Sequence, residues 1–381
     1  MQHINTLIKP THKCNMRCKY CFGEKYGYDA NVLEVEKLKK YLLLLSKKYD
    51  HINLVWHGGE PLLVPLEYYI EIYNFCKNLD SSFSYSLQTN GTLVTAEILD
   101  FFINNDTSIG LSFDGLSNDL TRGNTTEIIK SIKLMHSFGI YPGAILVVNQ
   151  YNVKNLIDEY EFFKKLELGM KLNPLFIDGA AKNNPFLELD PHVYIEQFVN
   201  FFKYWAFDVN CNISVSNCNE MINLILNKKS SICTNNSCLG KWLCLDSNGD
   251  IYPCDRLCIP EYRLSNVEDI KSIDSIFESE QFIKLLQESV FRRRSCMSEC
   301  EIYESCYGGC NANAILYRNT PMNISCYTHK EILISLREYL CSLSKNSDCD
   351  NLNSYLTKSL SLRRESLLWK NMFIMGVQYR I

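Results

Sequence analysis

Six short runs of β-forming residues alternate with helical stretches over residues 3–176, and this alternation constrains the fold most. The runs are INTLIK (4–9), INLVWH (52–57), SYSLQT (84–89), SIGLSF (108–113), GAILVVN (143–149) and KLNPLF (171–176). Helical patterns lie between them, at residues 32–49, 66–79 and 125–139. Strands rich in Val, Ile and Leu that alternate with helices are typical of a parallel sheet. Six such βα units predict an α/β fold, either an open doubly wound sheet or a partial (β/α)6 barrel.

The loops that follow these strands are polar and rich in glycine. They are KPTHKCNMRCKYCF (9–22), WHGGEP (56–61), QTNG (88–91), FDG (113–115) and VVNQYN (147–152). Because the carboxyl ends of parallel strands meet at one edge of a sheet, we expect a site there. Glycines allow a ligand to approach the backbone closely, and Glu60 could bind an ammonium group.

Three cysteines, Cys14, Cys18 and Cys21, lie within eight positions of the first loop, with no fourth cysteine nearby. A structural zinc site needs four ligands, so this loop resembles a metal site with one coordination position left open. The chain has 18 cysteines, and twelve of them lie between Cys211 and Cys326. The pattern predicts a cysteine-poor body followed by a cysteine-rich second module.

The charge and the apolar runs of the sequence indicate where in the cell the protein is expected. The formal net charge of −4 gives no reason to expect a nucleic-acid partner or an anionic membrane. The first 13 residues contain no apolar signal-peptide core, and no apolar run approaches membrane-spanning length. We therefore expect a cytoplasmic protein, whose thiols bind metal instead of forming a disulfide framework.

The spacing Cys14-x-x-x-Cys18-x-x-Cys21, together with GGEP at residues 58–61, resembles the radical S-adenosylmethionine enzymes. In that family three thiolates hold a 4Fe–4S cluster whose fourth iron binds S-adenosylmethionine. An electron from the cluster, supplied by a donor such as flavodoxin or ferredoxin, cleaves the cofactor. The resulting 5′-deoxyadenosyl radical abstracts hydrogen from the substrate. Thiolates suit this chemistry because they are soft, anionic donors.

The resemblance also implies which residues contact S-adenosylmethionine. Gly58, Gly59 and Glu60 would lie at the methionine amino end, and Tyr20 would lie beside the adenine. Four further residues would contact the carboxylate, ribose or adenine: Asn90, Ser112, Arg122 and Val148. The alternative for Arg122 is a solvated surface arginine.

The second module resembles the SPASM extension of this superfamily, which holds two auxiliary 4Fe–4S clusters and brings the expected total to three. The resemblance implies that Cys233, Cys238, Cys254 and Cys310 hold the first auxiliary cluster. It implies that Cys296, Cys300, Cys306 and Cys326 hold the second. Cys244 and Cys258 are close enough in sequence to compete, and three residues separate Cys296 from Cys300 where the family usually has two. From the residues alone, a pair of zinc ribbons is the alternative.

These motifs predict three regions. Residues 1–225 would form the radical S-adenosylmethionine partial barrel, and residues 226–330 would form the SPASM domain. Residues 331–381 would form a C-terminal helix and a tail of unknown role.

The expected substrate is a peptide or protein. SLQTNG (86–91), GLSFDG (110–115) and YPCD (252–255) are similar to anaerobic sulfatase-maturating enzymes, which oxidise cysteine or serine to formylglycine. In those enzymes an aspartate at the position of Asp255 accepts a substrate proton; the alternative is a residue that caps a turn.

Residues 177–232 show no clear similarity to the sulfatase-maturating pattern, and this favours a maturase that cross-links a ribosomally made peptide. Many such maturases carry a leader-binding domain before the first motif, whereas only 13 residues precede Cys14 here. Formylglycine formation is the first alternative. A zinc-binding module without catalysis is an alternative of another class.

Overall fold

The computed structural model describes residues 2–27, 31–226, 230, 232–235, 238–316 and 324–343. All six predicted strands are present, and three more follow. The strands are β1 (His3–Ile8), β2 (His51–Trp56), β3 (Ser82–Thr89), β4 (Thr107–Ser112), β5 (Gly143–Val148), β6 (Gly169–Pro174), β7 (Trp242–Leu245), β8 (Asp250–Tyr252) and β9 (Ser265–Asn266).

The helices connect these strands and continue to the end of the described chain. They are α1 (Val35–Ser46), α2 (Leu66–Cys76), α3 (Ala96–Asn104), α4 (Asn118–Thr121), α5 (Thr125–Ser137), α6 (Leu156–Lys165), α7 (Pro191–Phe207), α8 (Ser216–Ile225), α9 (Asp274–Phe277), α10 (Glu280–Glu299), α11 (Tyr303–Cys306), α12 (Asn311–Leu316) and α13 (Ile324–Leu343). Within these described ranges, no helix is both long enough and apolar enough to cross a bilayer.

The chain divides into two compact units, and neither is one continuous stretch. The first contains Met1–Val147, Leu175–Glu188 and Cys238–Arg292. The second contains the described residues of Val148–Pro174, Leu189–Ser237 and Arg293–Ile381. The domain boundaries predicted at residues 225 and 330 stay a prediction.

The first unit is built on a sheet whose strand order is β5-β4-β3-β2-β1-β7-β8-β9. Strands β1 to β5 pair in parallel, and β7 is parallel to β1, with Leu7 opposite Cys244. Strand β8 pairs with β7 in the antiparallel direction, and β9 pairs with β8 in the antiparallel direction. The cysteine-rich part of the sequence therefore supplies a strand next to β1, which the sequence pattern did not predict.

One part of the core of the first unit lies between β2 and helix α2. In β2 the burial alternates, and Ile52, Leu54 and Trp56 are completely buried. The indole of Trp56 packs edge-on against Tyr69 of α2, with 4.9 Å between ring centroids, and its Nε1 donates to Tyr73 Oη at 3.1 Å. This packing fixes β2, and with it the loop that follows β2.

In the second unit, helix α7 begins at a strong N-terminal signal. Asp190 accepts hydrogen bonds from the backbone N–H groups of His192 and Val193, and Pro191 occupies the first helical position. Helix α13 packs against α7. Strand β6 forms a parallel bridge to Val215 through Met170.

We predict that Leu54→Ala lowers the free energy of unfolding by about 2–5 kcal/mol, because it leaves a cavity in the core. Leu43→Ala is the matched control, since Leu43 lies on α1 and is 40% exposed. The control should change the free energy by no more than about 0.5 kcal/mol. Urea unfolding followed by circular dichroism measures both variants, and equal effects would contradict this description of the core.

Candidate functional site

The loop after β2 packs directly on the cysteine loop through backbone groups. The N–H of Gly59 donates to Thr11 O at 2.9 Å, and the N–H of Glu60 donates to Lys13 O at 2.8 Å. Gly58 has φ +119°, and a Cβ there would lie 2.6 Å from Thr11 O. A Cβ on Gly59 would overlap two backbone carbonyls of the cysteine loop. Both glycines are therefore required by a close approach of two loops.

The Glu60 side chain is completely buried and joins the loops after β2 and β3. Its carboxylate accepts hydrogen bonds from Thr89 Oγ1 at 2.7 Å, Asn90 N at 2.8 Å and Leu62 N at 3.0 Å. Burial raises the pKa of Glu60, and these hydrogen bonds oppose the rise. The carboxylate thus positions the site; its predicted contact with an ammonium group stays a prediction.

Asn90 connects the loop after β3 to the cysteine loop. Its Nδ2 donates to Asn15 Oδ1 at 2.9 Å and lies 3.9 Å from Cys14 Sγ. Its Oδ1 accepts from Thr92 N at 2.9 Å. Because both ends of the amide are engaged, the side chain holds one fixed orientation beside the first thiol.

The thiols of Cys14, Cys18 and Cys21 are partly buried and lie close enough for their charges to interact. Burial raises the pKa of Cys14, and it raises the pKa of Cys18 to about 11. Thiolates crowded in this way are unfavourable unless a positive centre binds them. The donor set, three soft thiols in one loop, therefore fits an iron–sulfur cluster.

Tyr20, Asp114 and Arg122 form a buried network beside the cysteine loop. Tyr20 Oη donates to Asp114 Oδ2 at 2.6 Å and accepts from Arg122 Nη1 at 3.1 Å. The other oxygen of Asp114 accepts from Val147 N at 2.9 Å. Asp114 was not predicted as a site residue. Its position between a buried strand and a glycine could have indicated it, because site residues of parallel sheets lie in such loops.

Arg122 is not the solvated surface residue of the alternative interpretation. Its guanidinium lies 6.0 Å from the centre of the Tyr20 ring, and its buried Nε has no hydrogen-bond partner among the described residues. Burial disfavours the charge, but Tyr20, Cys18 and Asp114 outweigh that effect and raise the pKa of Arg122. The site therefore contains a permanent positive charge with one unsatisfied donor.

Two other predicted contacts lie at strand ends. Ser112 is the last residue of β4, and its Oγ accepts from Gln88 Nε2 at 2.9 Å. Val148 is the last residue of β5 and is completely buried. Their roles in cofactor binding stay predictions.

Asp255 follows Cys254 in the loop after β8. Lys9, almost completely buried at the end of β1, donates through Nζ to the carbonyl of Asp255 at 3.4 Å. Cys254 Sγ lies 3.3 Å from Asp255 Oδ1. Burial raises the pKa of Asp255, but the nearby His57 and Lys9 outweigh it and hold that pKa below its usual value. Neither Lys9 nor His57 was predicted as a site residue.

Cys244 and Cys258 form a separate buried pair. Their Sγ atoms are 3.5 Å apart, and both side chains pack with Leu7 and Tyr252 in the core. This burial places both thiols in the core; their competition for the first auxiliary cluster stays a prediction.

The cysteines predicted for the second auxiliary cluster lie near one another in the second unit. Burial raises the pKa of Cys306 to about 12, and the neighbouring thiols of Cys326, Cys300 and Cys296 add to the rise. No group of three or more Cys, His, Asp or Glu side chains in the described ranges is gathered closely enough to hold a single metal ion.

The cysteines predicted for the first auxiliary cluster are divided between the units. Cys238 and Cys254 belong to the first unit, and Cys233 and Cys310 belong to the second. Their joint ligation of one cluster stays a prediction.

Comparisons with known proteins agree with this geometry. Residues 8–163 match the family model described as the Radical SAM superfamily. The fold matches a solved structure described as "Native anSMEcpe with bound AdoMet and Cp18Cys peptide", with a TM-score of 0.76, 24% identity, and coverage of 89% of this chain and 99% of that one. The predicted α/β fold is confirmed, and residues 8–163 form a radical SAM domain, as the cysteine motif indicated. This match supports the predicted S-adenosylmethionine and iron–sulfur cofactors and argues against the non-catalytic zinc-binding alternative.

Two curated relatives show which kind of enzyme the chain resembles. The chain is 28% identical over 340 residues to a cysteine-type anaerobic sulfatase-maturating enzyme of Clostridium novyi (strain NT), covering 82% of this chain and 89% of that protein. It is 26% identical over 346 residues to a serine-type anaerobic sulfatase-maturating enzyme of Bacteroides thetaiotaomicron, covering 81% of this chain and 83% of that protein.

We predict that Gly59→Ala lowers the iron bound by the cysteine loop and slows 5′-deoxyadenosine formation about tenfold or more. The added Cβ would overlap two backbone oxygens of that loop, and displacing them moves the thiols. Gly139→Ala is the control, because Gly139 has φ +75° but nothing lies within 4 Å of its Cβ. It should leave iron content and cofactor cleavage at wild-type levels, and equal losses in both variants would contradict the loop-packing explanation.

Proposed function

We propose that this enzyme oxidises a cysteine or serine side chain of a protein substrate to formylglycine. The observation that carries the proposal is the extent of the similarity to sulfatase-maturating enzymes. The alignment covers 82% of the chain, so its range includes residues 177–232, where the sequence motifs alone showed no similarity. That missing similarity was the reason for favouring a cross-linking maturase, and the alignment weakens this reason.

In this proposal Cys14, Cys18 and Cys21 hold the catalytic cluster. When bound, the cluster and S-adenosylmethionine supply a radical that removes a hydrogen atom from the substrate side chain. The unsatisfied Nε of Arg122 is a donor for the anionic part of the cofactor. Tyr20 presents a ring whose position is fixed by Asp114. Gly58, Gly59 and Glu60 hold the loop that carries the thiols, and Asn90, Ser112 and Val148 complete the cofactor site.

Asp255 is the proposed base. Once a hydrogen atom has been removed, the substrate must still lose one electron and one proton, the proton from its hydroxyl or thiol, and a carboxylate can accept that proton. A serine substrate then becomes the aldehyde directly, whereas a cysteine substrate becomes a thioaldehyde that water hydrolyses with release of sulfide. Lys9 favours the ionised form of Asp255, whose pKa lies below its usual value, so its acceptor oxygens are available at neutral pH. Lys9 also fixes the backbone of the residue through its hydrogen bond to the Asp255 carbonyl.

The remaining electron needs an acceptor, and the cysteine-rich regions provide candidates. We assign Cys233, Cys238, Cys254 and Cys310 to one auxiliary 4Fe–4S cluster and Cys296, Cys300, Cys306 and Cys326 to another. Asp255 is adjacent to one of these ligands, which puts proton and electron acceptors side by side. A small electron carrier, such as flavodoxin or ferredoxin, would supply the electron for cofactor cleavage.

The reaction class is tested with two peptides that carry the target residue as cysteine or as serine. We expect at least one peptide to gain an aldehyde that reacts with a hydrazide probe, with consumption of S-adenosylmethionine. Asp255→Asn should keep all of its iron and still form 5′-deoxyadenosine, while aldehyde formation falls about a hundredfold or more because asparagine cannot accept the proton. A product that lacks an aldehyde but contains an internal thioether or carbon–carbon bond would support the cross-linking alternative.

Two cysteine variants test the ligand assignment. The reconstituted wild-type enzyme should contain about twelve irons, which corresponds to three 4Fe–4S clusters. Cys254→Ala should lose about four of them, because it removes a proposed ligand. Cys244→Ala is the matched control and should keep full iron content, since its thiol packs in the core. Loss of iron in the control alone would reverse the assignment.

A further inference from the structure

Residues 175–188, which we call the bridging segment, contact the first cysteine loop through its backbone. The N–H of Ala180 donates to Cys21 O at 3.0 Å. Asn184 Nδ2 donates to Lys19 O at 2.8 Å. The bridging segment therefore holds the carbonyls on both sides of Tyr20 and next to the third thiol.

Two more contacts make this attachment rigid. Gly179 has φ +53°, and a Cβ there would overlap Cys21 O and crowd Phe22. Lys25, in the turn that follows the third cysteine, forms an ion pair with Asp178 at 2.5 Å, and both side chains are largely buried. Burial raises the pKa of Asp178, but Lys25 outweighs it and lowers that pKa. The bridging segment and the cysteine loop are therefore closely packed at Gly179 and joined by an ion pair at Asp178.

The other end of the bridging segment contacts the loop that carries Asp255. The guanidinium of Arg256 lies 4.3 Å from the centre of the Phe176 ring, within the range of a cation–π interaction. Asp255, Arg256 and Leu257 form one short 3₁₀ helix, and Leu257 N donates to Cys254 O at 3.1 Å. Fixing the Arg256 side chain therefore fixes the rotation of the turn from which the Asp255 carboxylate projects.

We propose that Phe176 and Arg256 are positioning residues that hold Asp255 at a fixed position relative to the first cysteine loop. Phe176 and Gly179 are only three residues apart, so one short stretch of chain contacts both loops. The inference rests on the proposed function, because it assigns the contact a role in the step that Asp255 performs. Asp255 accepts its proton efficiently only if it reaches the hydroxyl or thiol on the substrate carbon from which the hydrogen atom has been removed.

The experiment compares full-length, reconstituted variants under anaerobic conditions. Phe176→Leu removes the aromatic ring, and Arg256→Gln removes the cation. Arg256→Lys keeps a cation over the ring and serves as the conservative rescue variant. Phe186→Leu is the matched control, because Phe186 lies on the same segment and is 51% exposed, whereas Phe176 carries the contact with Arg256. Three quantities are measured: iron content, aldehyde formed per 5′-deoxyadenosine, and hydrogen exchange of the amides of residues 254–258.

Phe176→Leu and Arg256→Gln should keep wild-type iron and wild-type 5′-deoxyadenosine formation. The yield of aldehyde per 5′-deoxyadenosine should fall about threefold to tenfold, and the amides of residues 254–258 should exchange faster. Arg256→Lys should recover most of the yield, and Phe186→Leu should match the wild type in all three quantities.

Three results would overturn the inference. One is a wild-type yield and wild-type exchange in both Phe176→Leu and Arg256→Gln. Another is loss of iron in proportion to activity, which would make the contact a support for the clusters. The third is an effect of Phe186→Leu as large as that of Phe176→Leu. If the wild-type enzyme makes no aldehyde, the proposed function fails, and unchanged exchange at residues 254–258 separately overturns the contact.

Discussion

The close packing of Gly58 and Gly59 on the backbone of the cysteine loop is the constraint on which the site depends. Two N–H groups of the loop after β2 donate to carbonyls of the cysteine loop at 2.9 and 2.8 Å. This close approach requires glycine at positions 58 and 59, because a Cβ at either position would overlap carbonyls of the cysteine loop. The rigidity of the packed strand β2 is thereby transmitted to the thiols, which otherwise lie on a long loop.

Two buried carboxylates extend this constraint to the other strand ends. Glu60 joins the loops after β2 and β3, and Asp114 joins the loop after β4 to Tyr20 and to Val147 at the end of β5. Burial raises the pKa of both carboxylates, and donated hydrogen bonds oppose that effect in each case. Buried polar networks of this kind fix one geometry because every unmade hydrogen bond would be costly.

Pairing of β7 with β1 brings the cysteine-rich part of the sequence to the same sheet. This pairing places Asp255 near Lys9 at the end of β1 and near His57 after β2. The proposed base is therefore organised by residues that belong to the first two βα units. In this way, one unit of the fold can hold a radical source and a proton acceptor at fixed positions relative to each other.

The sequence by itself determined the six strands, three of the helices between them, the three-thiol loop and the glycine pair, because each follows from local periodicity or short spacing. The tertiary structure decided the pairing of β7 with β1, the burial of Arg122, and the roles of Asp114, Lys9 and His57. It also decided that Cys244 and Cys258 lie in the core. These features join residues up to about 250 positions apart in the chain, and side chains brought together only by folding leave no pattern in the local sequence.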